Sequence, residues 1–154
     1  MKVREIVRHK AKICYGDTSL AEAAAIMLEH DYGVLPVVES MTGKLCGVIT
    51  DRDICMGALT QGLPLENIPV RQCCSRDIHV ATLDDDINVV HELMRKFHIR
   101  RVPVVNDDQR VVGLVSTDDL SMHACISEDR YNRISLTETL ASVCGPNVAE
   151  AAES

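Results

Sequence analysis

The chain repeats itself once, and this duplication limits its possible folds more than any other feature. The segment DYGVLPVVESMTGKLCGVITDRDI resembles a later segment, HIRRVPVVNDDQRVVGLVSTDDL. Pro36 matches Pro103 at a separation of 67 residues, and Gly47 matches Gly113 at 66, because the second turn is one residue shorter. Solenoids need about three or more repeats. Two copies instead predict two similar units that pack face to face with pseudo-two-fold symmetry.

The two units are predicted to span residues 3–60 and 70–126, followed by a C-terminal tail at residues 127–154. Between the units lies MGALTQGLPLENIP, whose glycine and proline residues are typical of a linker. Each unit is predicted to have the order β-α-β-β-α. Short strands at about residues 12–14 and 78–80 lead into helices with one apolar face, and two further strands and a helix follow.

Side chains that can cap a helix N-terminus precede the first helix of each copy. The candidate N-caps are Asp17 or Thr18 in the first copy and Asp84 or Asp85 in the second. The last helix of each copy is predicted to start at Asp51 and at Thr117. The strands between these helices are almost continuously apolar, which is typical of a small sheet covered by helices. The predicted class is therefore α/β (α+β).

Composition excludes several functional classes. Aromatic residues make up 3% of the chain, so the core must be aliphatic and no stacking platform for single-stranded nucleic acid is expected. The net charge of −7 argues against binding to a phosphate backbone. No apolar run approaches the roughly 18 residues of a membrane span, and the N-terminus has no apolar signal region. A cytoplasmic location is expected, with neither membrane nor nucleic acid as a partner.

The cysteine and histidine residues follow no metal-binding pattern. The seven cysteines include no C-x-x-C motif, and the six histidines include no H-x-x-x-H motif. Most of the cysteines are expected to be small buried apolar residues with free thiols. The adjacent pair Cys73 and Cys74 is the exception that allows a redox role. No nucleophile elbow, P-loop or dinucleotide fingerprint is present, so catalysis is not predicted.

One short motif occurs at the same place in both copies. Thr50 and Asp53 in GVITDRDI correspond to Ser116 and Asp119 in GLVSTDDL. A hydroxyl residue followed three positions later by an acid is close to a capping box, which is purely structural. The same groups at a helix N-terminus can also hold a phosphate and the two hydroxyls of a ribose. Capping and ligand contact are not exclusive, because a cap can change partner when a ligand arrives.

The full pattern, an apolar strand with PVV, a turn, and GhhT/S-x-x-D, resembles a tandem pair of cystathionine β-synthase (CBS) domains, also called a Bateman module. The resemblance covers residues 3 to about 126, and TDRDI and RRVPV are similar to segments of the small hypoxia-response type. It implies two pseudo-symmetric halves with two clefts between them. Such modules commonly bind AMP, ADP, ATP or related adenosine compounds, often form homodimers, and regulate other proteins without being catalysts.

The resemblance also implies roles for individual residues. Thr50 and Ser116 would lie on the phosphate side, and Asp53 and Asp119 would bind the ribose. Segments 32–35 and 99–102 with the following prolines would line the adenine pocket, and segments 13–16 and 80–82 would form the opposite wall. The residues taken from these segments as candidate contacts are Val34, Pro36, Pro103, Cys14 and Ala81.

Arg100 and Arg101 are the clearest difference between the copies, because the first copy has Gly33 and Val34 at the matching positions. Arginine can bind a phosphate with two parallel hydrogen bonds. The alternative is a solvated strand end or an ion pair with one of the chain's many acids. If the arginines bind phosphate, the two clefts should differ in occupancy.

The tail is predicted to contain one more helix. Ser135 and Glu138 have the spacing of a capping box ahead of Leu140, and the terminal AEAAES is expected to fray. A CGP segment near the end is loosely similar to the hypoxia-response type. That similarity implies that Cys144 could reach back to Cys14 if the tail packs on the module.

Two functions therefore remain open. The favoured hypothesis is a regulatory module that senses an adenosine compound and acts on a homodimer or on an unknown regulated protein. The alternative is a ligand-free dimeric scaffold, or a redox-responsive structural protein, whose clefts stay empty. Both hypotheses predict the same fold, and they differ in whether an adenosine compound stabilises the protein.

Overall fold

The computed structural model describes residues 1–9, 11–126 and 130–145, and only the backbone at positions 8, 9, 130 and 131. Its strands in chain order are β1 (Arg8–His9), β2 (Cys14–Tyr15), β3 (Val34–Val38), β4 (Leu45–Thr50), β5 (Ala81–Thr82), β6 (Arg101–Val105) and β7 (Val111–Ser116). Its helices are α1 (Leu20–His30), α2 (Asp51–Gln61), α3 (Ile87–Phe97), α4 (Thr117–Ile126) and α5 (Arg130–Cys144). Short 3₁₀ turns lie at Val3–Glu5, Leu65–Asn67 and Val70–Gln72.

The two copies form sheets of the same design, which confirms the predicted mixed fold of two β-α-β-β-α units. In the first, β2 runs parallel to β3, and β3 runs antiparallel to β4. In the second, β5, β6 and β7 repeat this arrangement, and β1 is added at the β7 edge. The registers also match, because Val34 lies opposite Thr50 and Arg101 lies opposite Ser116.

Each unit is completed by the chain segment that precedes the other unit. Strand β1 pairs with β7, and Val3 and Val7 belong to the core of the second unit. In the same way Ile68 and Val70 belong to the core of the first unit, and the backbone of Ser75 pairs with β4. The two units therefore exchange their leading segments, which joins them into one interlocked body.

The predicted N-caps of the first helices are wrong. Ser19 caps α1 and Asp86 caps α3, one or two residues after the expected positions. The earlier polar residues instead close the turn that precedes each helix: the Thr18 hydroxyl accepts from the Tyr15 N–H at 3.0 Å, and Asp85 accepts from the Thr82 N–H at 2.7 Å. Asp17 and Asp84 form ion pairs with Arg71 and Arg4 respectively. The short first strands of the two units, β2 and β5, begin two and three residues later than predicted.

The predicted starts of α2 and α4 at Asp51 and Thr117 are confirmed. The capping box predicted at Ser135 and Glu138 is wrong, because α5 already begins at Arg130 and runs through both residues. Ser135 is instead buried against the second unit, where α5 packs on α3 and α4. The terminal AEAAES lies outside the described residues.

All seven cysteines are free, and the prediction that most of them are buried is wrong. Only Cys14 is buried, in the core of the first unit, where burial raises the pKa of its thiol to about 12. Cys144 is exposed on α5, which packs on the second unit, so the proposed pairing of Cys144 with Cys14 is not formed. Cys73 and Cys74 are half-buried, and burial raises the pKa of both thiols. No helix in the described part of the chain is long and apolar enough to span a bilayer.

Candidate functional site

The repeated motif forms a capping box at the start of α2. The backbone N–H of Asp53 donates to the Thr50 hydroxyl oxygen at 3.1 Å. In return, the Asp53 carboxylate accepts from the Thr50 N–H at 2.8 Å and from the Thr50 hydroxyl at 2.7 Å. Two of these bonds satisfy backbone N–H groups at the helix start, and the third joins the two side chains.

The same box forms at the start of α4. The Asp119 N–H donates to the Ser116 hydroxyl at 3.2 Å, and the Asp119 carboxylate accepts from the Ser116 N–H at 2.9 Å and from the Ser116 hydroxyl at 2.5 Å. Asp119 is 7% exposed, so its side chain is largely shielded from bulk solvent. The structural interpretation of the motif is therefore realised in both copies.

A cleft lies between the two halves at the start of α4. It encloses about 60 Å³, and both halves of the repeat contribute to its walls. Its described lining residues are Ala11, Asp31, Tyr32, Val34, Arg101, Leu114, Ser116, Asp118 and Asp119. A cavity needs about 10–15 Å³ to hold one water molecule, and small-molecule binding sites usually have volumes of about 300 Å³ or more. The cleft must therefore widen before it can hold a nucleoside.

The Arg101 side chain reaches across the cleft to the opposite half. A Cβ atom added to Gly33 would lie 3.2 Å from an Arg101 guanidinium nitrogen and 3.5 Å from its Cζ. The guanidinium thus lies against the bare backbone of the first copy. A larger side chain at position 33 would push Arg101 aside, so the missing side chain of Gly33 leaves the space that the guanidinium occupies.

The structure brings together four of the predicted site residues, namely Val34, Arg101, Ser116 and Asp119. Thr50 and Asp53 lie at the equivalent helix start of the other half and are not in the described lining of this cleft. The Arg100 side chain is exposed, and its backbone carbonyl accepts from the Thr117 N–H at 3.0 Å.

The remaining predicted contacts lie inside the units. Cys14 and Ala81 are 2% and 1% exposed and belong to the two hydrophobic cores. Pro36 and Pro103 lie within β3 and β6. At the cleft, Ala11 supplies the wall that the first strand was expected to form.

Asp31 is a lining residue that the sequence interpretation missed. It ends α1 in the left-handed conformation, with φ of 54°, and His98 ends α3 in the same way, with φ of 52°. Aspartate and histidine tolerate this conformation better than most residues. Their separation of 67 residues, equal to that of the prolines, was the signal that could have revealed the pair.

Nothing in the described part of the chain resembles a metal centre, since no three His, Cys, Asp or Glu side chains are grouped to hold an ion. The described lining of the cleft instead combines one guanidinium, three carboxylates, two hydroxyls and apolar side chains. Such a mixture suits a polar organic ligand with an apolar ring.

The family model for the CBS domain matches the sequence twice, at residues 3–58 and 70–124. The chain belongs to the CBS-domain family. The two matches form a tandem pair, which confirms the resemblance inferred from the repeat.

Relatives of similar length include small CBS-domain proteins. The CBS domain-containing protein YhcV of Bacillus subtilis is 34% identical over 110 residues, covering 71% of this chain and 76% of that protein. Hypoxic response protein 1 of Mycobacterium tuberculosis is 32% identical, with coverage of 71% and 76%. An L-aspartate semialdehyde sulfurtransferase of Methanocaldococcus jannaschii is 34% identical, but this chain spans only 22% of its length.

Solved structures of CBS domain pairs have the same fold as this chain. The CBS domain pair of protein MJ0100, in complex with 5′-methylthioadenosine and S-adenosyl-L-methionine, is 33% identical with a TM-score of 0.72, covering 81% of this chain and 96% of that one. Hypoxic Response Protein I with two coordinated zinc ions is 29% identical with a TM-score of 0.72, covering 80% and 98%. A CBS pair related to this chain was therefore solved with adenosine-containing ligands.

Proposed function

We propose that this chain is a regulatory module that binds an adenosine compound, AMP, ADP, ATP or a related derivative, between its two repeats. The observation that carries the proposal is the cleft, where the capping box of one half faces the strand start of the other. The adenosine ligands of a related CBS pair support it. The enzymes named among the relatives match this chain over only part of their length, 22% in the case of the sulfurtransferase.

The proposed binding mode uses groups that the capping boxes already present. A ribose offers two adjacent hydroxyls, and a carboxylate accepts strong charge-assisted hydrogen bonds from both. Asp119 would serve the ribose, and the Ser116 hydroxyl and the N-terminus of α4 would meet the substituent on its 5′ carbon. Val34 and Tyr32 would contact the adenine ring. In the other half, Asp53 and Thr50 would take the same roles.

Regulation follows from the size of the cleft. At about 60 Å³ it cannot hold a nucleoside without movement of its walls. A ligand that binds only the widened state shifts the population toward that state. The regulated partner would be a second copy of this chain in a homodimer or another protein that distinguishes the two states. A cytoplasmic location is consistent with this proposal.

Thermal unfolding with a ligand panel tests the proposal. A ligand at 100 times its Kd stabilises a protein by about 2.7 kcal/mol, which is about 5–10 °C in Tm for a chain of this size. We expect a shift with at least one of adenosine, 5′-methylthioadenosine, S-adenosylmethionine, AMP, ADP or ATP. No shift with any of them at millimolar concentration would contradict the proposal and favour the empty scaffold.

Two isosteric variants assign the site. Asp119→Asn keeps the shape of the capping residue but removes the carboxylate, and we expect it to abolish the shift if this cleft is filled. Asp53→Asn tests the equivalent position in the other half. Asp108→Asn, in an exposed turn, is the matched control and should leave the shift unchanged. A shift that survives both cap variants would show that the site lies elsewhere.

A further inference from the structure

The cleft carries carboxylates at two positions where the other half of the repeat has basic residues. Asp31 ends α1 as His98 ends α3, in the same left-handed conformation. Asp118 is the second residue of α4, and its structural equivalent in α2 is Arg52. Both acids line the cleft. The equivalence rests on helix ends and helix starts, so it does not depend on the sequence alignment alone.

Neither acid is neutralised by a nearby base within the described residues. No ion pair of 4.0 Å or less involves Asp31 or Asp118 there, and the charged end of Arg101 lies against Gly33 instead. Both acids are exposed at the rim of the cleft, where a ligand would enter. Asp119 is already engaged by the capping box.

We propose that this cleft selects adenosine derivatives whose 5′ substituent is neutral or positively charged, such as a thioether or a sulfonium, over AMP and ATP. This inference rests on the proposed function and names the ligand class for one cleft. A phosphate placed here would face two carboxylates of like charge, whose repulsion weakens its binding and is reduced by salt because both acids are exposed.

The N-terminus of α4 does not reverse this preference. A helix N-terminus carries roughly half a positive charge and by itself favours an anion. In α4 that field already acts on two acids of the first turn, Asp118 and Asp119. Among the described lining residues, the Arg101 guanidinium is then the basic group that opposes the carboxylates. A sulfonium is attracted by this arrangement, and a thioether is indifferent to it.

Titration calorimetry on the full chain tests the selectivity, with 5′-methylthioadenosine, S-adenosylmethionine, AMP and ATP as probes. We expect the unmodified chain to bind the first two at least about tenfold more tightly than AMP. In the double variant Asp31→Asn with Asp118→Asn, the affinity for AMP should rise about tenfold or more. The affinity for S-adenosylmethionine should fall, and that for 5′-methylthioadenosine should stay the same.

A matched control separates local from general charge effects. Asp107→Asn with Asp108→Asn removes two charges from an exposed turn of the second unit and should leave all four affinities unchanged. Binding of AMP to the unmodified chain as tightly as 5′-methylthioadenosine would overturn the inference, and so would an unchanged affinity ratio in the cleft variant. If none of the four probes binds, the proposed function itself fails and the inference fails with it.

Discussion

His91 makes the stability of this protein depend on pH in a way that can be derived from its surroundings. Its side chain is 3% exposed between α3 and α5, and its Nδ1 lies 2.8 Å from the Thr139 hydroxyl oxygen. The Thr139 hydroxyl donates its own hydrogen to the Ser135 carbonyl at 2.8 Å. The hydroxyl oxygen must therefore accept from His91, which places the proton of the neutral imidazole on Nδ1.

A second proton on this imidazole is unfavourable. Burial, and in addition the positive charge of Arg95, lower the pKa of His91 from 6.5 to about 4. Between pH 6.5 and 4, His91 is therefore protonated in the unfolded chain and neutral in the folded chain. Stability is unaffected by His91 above pH 6.5 and falls as the pH drops toward 4. The full pKa difference corresponds to about 3 kcal/mol.

Urea unfolding followed by circular dichroism at several pH values between 7.5 and 4.5 measures this effect. In His91→Asn the side-chain amide nitrogen takes the place of Nδ1, so it can still donate to Thr139 but does not titrate. We expect the free energy of unfolding of the unmodified chain to fall by about 2–3 kcal/mol more than that of the variant over this range. Both proteins have the same carboxylates, so the difference between their pH profiles removes the contribution of the carboxylates to the free energy of unfolding. Parallel pH profiles for the two proteins would refute the reasoning.

Three further predictions concern packing and helix capping. Gly57→Ala places a Cβ 2.5 Å from the Cys73 sulfur, so we expect a loss of about 1–3 kcal/mol in urea unfolding that adding Cys73→Ala restores. An unrestored loss would argue against this contact. Ser116→Ala removes the α4 cap and should cost about 1 kcal/mol by the same assay, whereas no cost would contradict the capping box. Val3→Ala should raise hydrogen exchange in β6 and β7 but not in β3, because Val3 is buried in the second core; a uniform rise would oppose the segment exchange.

The repeat predicted the fold because its pattern is local. Two copies of a strand-turn-strand segment with matched prolines require two similar sheets, and the starts of α2 and α4 follow from the same motif. The caps of α1 and α3 were missed for a local reason as well. Several polar residues precede each helix, and only the structure shows that Thr18 and Asp85 close the preceding turn while Ser19 and Asp86 cap the helix.

The exchange of leading segments was not predictable in the same way. Val3 and Val70 are equivalent apolar residues, and each fits the core of either unit by size and hydrophobicity. The core in which each valine is buried depends on how the two sheets pack against each other. The sequence of one copy alone does not specify that packing. For the same reason Asp31 was missed, since it reaches the cleft only when the two halves are packed together.

This exchange also limits how the cleft can open. Strand β1 is hydrogen-bonded to β7, and the backbone of Ser75 is hydrogen-bonded to Val48 of β4, so each half holds a segment that leads into the other. Separating the halves as rigid bodies would break both sets of bonds. Widening by movement of Arg101 and by release of the Ser116 and Asp119 cap breaks the three hydrogen bonds of that cap and leaves both segment pairings intact. A ligand of the proposed kind is therefore expected to act first on the N-terminus of α4.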